Sequence, residues 1–125
     1  MAYPEQLALR AVPMPADENA AGDIFGGWLL ARADQAASLI AAGHARTRVV
    51  TVAVQEFQFR RPVRPGDVVS FYGHIHRVGT SSMTIALRIT IQRLPAPEQE
   101  EAVASGSFVC VALDPAGRPA PVGQP

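Results

Sequence analysis

Between Asn19 and Asp34 the chain sets an amide, two adjacent glycines and a carboxylate in one short run, Asn-Ala-Ala-Gly-Asp-Ile-Phe-Gly-Gly-Trp-Leu-Leu-Ala-Arg-Ala-Asp. Residues of these types in such a run read as an active site. Asp23 is a good N-cap, and Gly26 and Gly27 after it leave first-turn backbone N–H groups uncovered by side chains. A helix start of this kind attracts a negative oxygen. Asp34, two turns on, stands in an otherwise apolar helix, where a carboxylate costs stability unless something pairs with it or uses it. Each of these groups also has a purely structural use. Asp34 could be a solvated helix residue paired with Arg32 or Arg46, Asn19 could satisfy its own loop, and the glycines could let the helix start pack closely.

Three other features carry less chemistry. His74 and His76 have the i, i+2 spacing of a metal pair on one strand face, but no third ligand of matching character accompanies them, so no metal is expected. Cys110 is the single cysteine, which rules out an internal disulfide and a cysteine-built metal site. Its alternating neighbours, Phe108-Val109-Cys110-Val111, make it a small buried apolar residue. Phe25 and Trp28, beside the helix start, are expected to pack rather than to touch a ligand.

The elements that position these groups follow from periodicity. Leu29, Ala33, Ala36, Ala37 and Ile40 share one face of a helix over 24–43, ending near Gly43 and His44. Alanine dominates that face, so a sheet can approach it closely. After Arg48 the chain reads as strand. In Val49 to Arg61 the apolar phase changes from even positions (Val50, Val52, Val54) to odd ones (Phe57, Phe59), which predicts a bulge near Gln55 and Glu56. Arg61 to Asp67 is turn-forming, Asp67 to Val78 is a strand, and Gly79-Thr80 turns into the clearest strand, where Met83, Ile85, Leu87, Ile89 and Ile91 alternate with polar residues. Leu94-Pro95-Ala96-Pro97-Glu98 breaks it, and Glu101 to Leu113 is the last strand.

Links this short force the strands to run mostly antiparallel. Strands of about 12 residues span roughly 40 Å, against about 27 Å for a helix of 18 residues. The α+β fold expected is therefore a long antiparallel sheet wrapped around one central helix. Residues 1–113 form the single domain and 114–125 a Pro/Gly-rich tail, expected to lie loosely on the surface or to be disordered.

Composition limits the partners. The chain has 125 residues, 48% of them hydrophobic, enough for one core. Its formal net charge is zero and all its basic residues are arginines, so no long-range field draws it to nucleic acid or to an anionic membrane. Met-Ala-Tyr-Pro-Glu-Gln does not read as a signal peptide, and no segment approaches the roughly 20 apolar residues of a membrane span. A cytoplasmic location is expected.

These residues in this order resemble the hotdog-fold acyl-CoA thioester hydrolases, in particular the short bacterial broad-range group. The resemblance runs through Met14-Pro15-Ala16-Asp17, Asn19, Gly22-Asp23-Ile24-Phe25-Gly26-Gly27-Trp28, Asp34, Arg48-Val49-Val50-Thr51-Val52-Ala53-Val54, Phe59-Arg60-Arg61-Pro62-Val63, Gly66-Asp67 and Gly79-Thr80-Ser81-Ser82. It implies a hotdog fold and hydrolysis of acyl-CoA to a fatty acid and CoA, by a homodimer or a trimer of dimers, with no cofactor beyond the CoA of the substrate. It also implies that Asp34 acts as general base or as nucleophile, and that Asn19 faces the aspartate of the other subunit. Gly27, with Gly26, would supply the oxyanion N–H.

For the CoA part, Arg60, Arg61, Arg64 and Arg77 are candidate phosphate ligands, because guanidinium groups bind phosphate oxygens bidentately. By the resemblance, Gly79, Thr80, Ser81 and Ser82 lie along its nucleotide or pantetheine portion; a plain hairpin turn is the other reading. Ala33 stands where the group usually has methionine, which bears on the size of the acyl pocket. The C-terminal extension of many members is lacking, which bears on the trimer of dimers more than on the dimer. The central helix lacks the histidine of hotdog dehydratases, against dehydration chemistry. A non-catalytic hotdog module that binds or senses acyl-CoA is the alternative, though it has no need of Asp34.

Overall fold

A computed structural model describes residues 3–122; Met1, Ala2 and the last three residues of the tail lie outside it. One helix, α1 (Gly26–Ala45), lies on a five-stranded antiparallel sheet of β1 (Gln6–Ala11), β2 (Val49–Phe59), β3 (Val68–Val78), β4 (Ser82–Arg93) and β5 (Ala96–Ala112). The strand order is β1-β3-β4-β5-β2, which leaves β1 and β2 as the two edges.

The helix buries Leu29, Ala33, Ala36, Ala37, Ile40, Ala41 and Ala45, the alanine-rich face expected from the sequence. Small side chains bring it close to the sheet. At Gly73 on β3, an added Cβ would stand 2.7 Å from Ile40 Cδ1 and 2.5 Å from Leu87 Cδ2, so helix and sheet meet there without room for a methyl group. Ala33 is wholly buried.

Three boundaries differ from the expectation. Asp23 is not the N-cap: the cap position is Phe25, with no side-chain hydrogen bond. The chain just before it is held extended, since Ile24 donates to the Val63 carbonyl and Phe25 to that of Asp17, so helical geometry begins only at Gly26. At the other end the helix runs past Gly43 and stops at Arg46, left-handed with φ 58°, whose N–H returns to the Ala42 carbonyl. The last strand starts at Ala96 rather than Glu101. Arg93 pairs with Ala96 and Gln92 with Glu100, so residues 97–99 loop out of the ladder and Pro97 needs no partner for its missing N–H.

The predicted bulge is present: β2 shifts register between Gln55 and Gln58, and Glu56 has φ 51°. A second shift lies between Thr51 and Ala53. β1 was not expected; alternation of Leu7, Leu9 and Ala11 was its signal, and it pairs with β3. Nor does the tail lie loosely as far as Val122. Ala120 donates to the Ala112 carbonyl, Val122 donates to that of Thr80, and the Val122 side chain is buried. Among the described residues, no helix is long and apolar enough to cross a membrane.

Candidate active site

Asp34 is half-buried on the flank of α1 that faces β2. Neither Arg32 nor Arg46 is its partner. Instead, Thr51 on β2 donates its hydroxyl to Asp34 Oδ1 at 2.5 Å. The same hydroxyl lies 3.9 Å from the sulfur of Cys110, which is fully buried. Burial pushes the Cys110 thiol above its usual pKa, the negative charge of Asp34 adds to the rise, and the Thr51 contact opposes it. Thr51 therefore fixes one oxygen of the carboxylate and leaves the other, Oδ2, without a partner among the described residues. Thr51 did not emerge from the sequence as a site residue. Its one signal was a hydroxyl between valines, on the strand that returns along the helix.

Asn19 heads a tight loop. Its Oδ1 accepts from the backbone N–H groups of Ala21 (2.9 Å) and Asp23 (3.2 Å), and its own N–H donates to the Asp23 carbonyl. The side-chain oxygen is thus used locally, and the amide NH2 has no partner among the described residues. Asn19, Gly26, Leu29, Phe59, Arg60 and Arg61 line one cleft of ≈ 390 Å³. The Gly26 and Gly27 N–H groups find no acceptor among the described residues. A Cβ at Gly26 would touch the Phe59 ring at 3.3 Å, whereas one at Gly27 would meet open space, and Gly27 is the more exposed of the two.

Asp34 is not in that cleft. Seven residues of helix put it about 10 Å along the axis from Gly27. A thioester carbonyl must lie about 3 Å from both its oxyanion donor and its attacking group. Gly27 and Asp34 of one chain cannot serve the same carbonyl.

The remaining site candidates divide between the two ends of the sheet. At the cleft end, Arg60 donates to Ser105 Oγ (2.6 Å) and Gln58 Oε1 (3.0 Å), and Arg61 lies 3.8 Å from Glu101. Arg64 is exposed, and its backbone N–H is bound by Asp67. Arg77 lies toward the opposite end, paired in register with Thr84 near the Gly79–Ser82 turn. That turn offers fewer free backbone groups than its composition suggests: Gly79 N–H binds the Ser82 carbonyl, Thr80 O accepts from Val122 and Ser81 O from Ala112. It sits beside the Asp34 end, because Met83, Cys110 and Thr51 are opposite one another on β4, β5 and β2.

Trp28 packs against Phe71 with the Arg32 guanidinium over its ring at 5.5 Å, but Phe25 is exposed rather than packed within this chain. The His74 and His76 rings meet edge to face, and no group of three or more His, Cys, Asp or Glu among the described residues is arranged to hold a metal.

The thioesterase superfamily model matches residues 21–95. The acyl-CoA thioester hydrolase YciA of Salmonella typhimurium is 40% identical over 119 residues, covering 94% of this chain and 90% of that protein. Among solved structures, the hexameric thioesterase y2039 from Yersinia pestis superposes with a TM-score of 0.89 at 39% identity, covering 95% of this chain and 96% of the other. The acyl-CoA hydrolase from Staphylococcus aureus, solved with butyryl coenzyme A and coenzyme A, gives 0.85 at 29% identity over 97% of this chain and 71% of that one. Mutants of that enzyme with an asparagine or an aspartate replaced by alanine have also been solved. By its sequence and by the single helix wrapped in a five-stranded antiparallel sheet, the chain belongs to the hotdog-fold thioesterase superfamily, among the acyl-CoA thioester hydrolases.

Proposed function

We propose that this acyl-CoA thioester hydrolase cuts its substrate in a site built by two chains, with Asp34 and Thr51 of one facing the partner's Asn19, the partner's Gly26 and the partner's Gly27. The observation that carries this is the separation of about 10 Å between Gly27 and Asp34 along one helix. The open edge of the sheet supplies the means. β2 is an edge strand with Val50, Val52 and Val54 exposed, and its free ladder groups invite a second strand. Pairing β2 with its own copy about a two-fold axis near Val54 makes an antiparallel, isologous contact. Thr51 lies on the N-terminal half of β2, and Phe59, which touches Gly26, lies at its C-terminal end. The two-fold axis therefore sets each chain's Asp34–Thr51 pair against the other's Asn19–Gly26 cleft.

In this site the partner's Gly27 N–H, at a helix start, holds the thioester carbonyl oxygen as negative charge develops there. Two routes use Asp34. As general base it takes a proton from water while the oxygen attacks the carbonyl carbon; the C–S bond then breaks and the CoA thiolate leaves and takes up a proton. As nucleophile it attacks the carbon directly, expels CoA and forms a mixed anhydride that water hydrolyses to the fatty acid and free Asp34. In either, the partner's Asn19 uses its NH2 to orient water or thioester. The chemistry needs no metal or further cofactor, and it belongs to fatty acid metabolism in the cytoplasm. The assembly we favour is a trimer of such dimers, in keeping with the hexameric Yersinia pestis thioesterase.

The test is release of free thiol from a panel of acyl-CoAs. Asp34→Asn should lower turnover by about 100- to 10,000-fold; equal turnover would remove Asp34 from the chemistry. Mixing Asn19→Ala subunits with Asp34→Ala subunits should restore part of the activity, since some dimers then hold one intact site. No recovery, with subunit exchange demonstrated, would dismiss the shared site.

A further inference from the structure

Cys110 is fully buried on β5, in register with Thr51 on β2 and Met83 on β4, and packing alone would account for a small apolar side chain there. The protons around it ask for more. Thr51 Oγ1 has one proton to give and two neighbours able to take it, Asp34 Oδ1 at 2.5 Å and Cys110 Sγ at 3.9 Å. The carboxylate is the nearer and much the stronger acceptor, so the hydroxyl proton goes to Asp34. The contact with sulfur must then take its proton from the thiol, into a lone pair that the hydroxyl oxygen still offers. The thiol has that proton, because burial and the negative charge of Asp34 both favour its neutral form.

We infer that Cys110 is a positioning residue for the catalytic carboxylate: its S–H donates to Thr51 Oγ1, the Thr51 hydroxyl donates to Asp34 Oδ1, and this chain of bonds fixes the direction in which Oδ2 faces the thioester. The inference rests on the reading of Asp34 given above. A threonine hydroxyl is a rotor, and the S–H beneath it opposes any turn that swings its proton from Asp34 toward the sulfur. The thiol also polarises the hydroxyl it donates to, which strengthens the bond onward to Asp34. The three groups come from three elements. β2 is an edge strand, whereas β5 lies between β4 and β2, so the thiol ties a hydroxyl on the edge to the interior of the sheet. Sulfur is a weak donor, so the effect on rate is modest.

Two measurements on the full-length protein test this. The chain has a single cysteine, so its S–H stretch is one infrared band in a window free of other protein absorption. Hydrogen bonding lowers the frequency of that stretch, and Thr51→Val should raise it toward that of a free thiol. A band at the same frequency in both proteins overturns the inference. The second measurement is kcat and KM for an acyl-CoA in Cys110→Ala, Thr51→Val and the double variant. Cys110→Ala should lower kcat about two- to fivefold with KM kept. The same replacement should cost nothing further in Thr51→Val, where no hydroxyl remains to be held. Equal fractional losses in both backgrounds would leave Cys110 a packing residue only. Should Cys110→Ala fail to fold, the infrared comparison decides alone, since it leaves Cys110 in place. The two proposals fail in different ways. Wild-type turnover by Asp34→Asn, with a band that Thr51→Val does move, sinks the role of Asp34 and keeps the chain of bonds; an unmoved band in an enzyme that Asp34→Asn inactivates sinks only the part given to Cys110.

Discussion

Replacing Thr51 with valine removes one hydroxyl and keeps the side chain's shape, which isolates the hydrogen bond to Asp34. That bond is short, 2.5 Å, and its acceptor is a carboxylate. Hydrogen bonds to charged groups contribute about 1.5–3 kcal/mol. If Thr51 holds Asp34 in the orientation from which Oδ2 reaches water or thioester, the same energy is lost from the transition state. This corresponds to a fall of about 10- to 150-fold in kcat/KM. The loss should appear chiefly in kcat, because the substrate's binding groups are untouched. Stability should fall by no more than that same bond energy, since valine keeps the β-branched shape that a strand favours. The assay is free-thiol release under saturating and limiting acyl-CoA, with thermal unfolding measured alongside. Thr51→Ser, which keeps the hydroxyl, should recover most of the rate. A Thr51→Val enzyme with wild-type kcat would refute the positioning role, and so would a loss of rate matched by a loss of fold.

Other perturbations address the scaffold. Gly106→Ala sets a Cβ 2.8 Å from the Phe57 Cα, a backbone atom that cannot swing aside; overpacking of this kind costs about 1–3 kcal/mol and should lower the melting temperature by several degrees. An unchanged melting temperature would mean that β5 and β2 approach less closely at this point. Acid stability should depend on Asp67, which is 2% exposed and receives two hydrogen bonds of 2.8 Å from Arg93. Burial alone would raise its pKa, but the bonds from Arg93 and from the Arg64 backbone, with the charges of both arginines, outweigh it and hold the carboxyl below its usual value. Its contribution is thus fully present above the ordinary aspartate pKa of about 3.9 and fades as pH falls through the depressed folded value. Asp67→Asn should unfold at a lower temperature than wild type at pH 7, and the gap should narrow in acid; a constant gap would contradict the ion pair's role.

The residue types of the site were legible because they are costly or unusual where they stand: a carboxylate in an alanine-rich helix, two glycines at its start, an asparagine in the loop before it. What those types did not reveal were the contacts made at a distance. Thr51 acquires meaning only once β2 lies along the helix, and the change of phase that exposed the bulge near Glu56 carried no hint of it. Asp23 has the composition of an N-cap, yet backbone bridges to Val63 and Asp17 keep the chain extended past it, so tertiary hydrogen bonds overrule a local preference. The short strand β1 was available in the alternation of Leu7, Leu9 and Ala11, but six residues carry little weight until they pair with β3.

The run from Asn19 to Asp34 shows why neighbours in sequence need not be neighbours in a site. A helix advances about 1.5 Å per residue, so groups at its start and in its third turn separate by more than one carbonyl can bridge. The compactness that made the run conspicuous is therefore what prevents it from closing a site within its own chain. The proposed two-fold axis across the β2 edge would remove the conflict, because it would reverse the partner's helix and bring its start to the level of Asp34. In the proposed dimer the catalytic groups are shared, and a dilution that dissociates it should abolish hydrolysis. Activity that persists in a demonstrated monomer would break that link, leaving the gap of about 10 Å between Gly27 and Asp34 to be closed by some movement of the helix start.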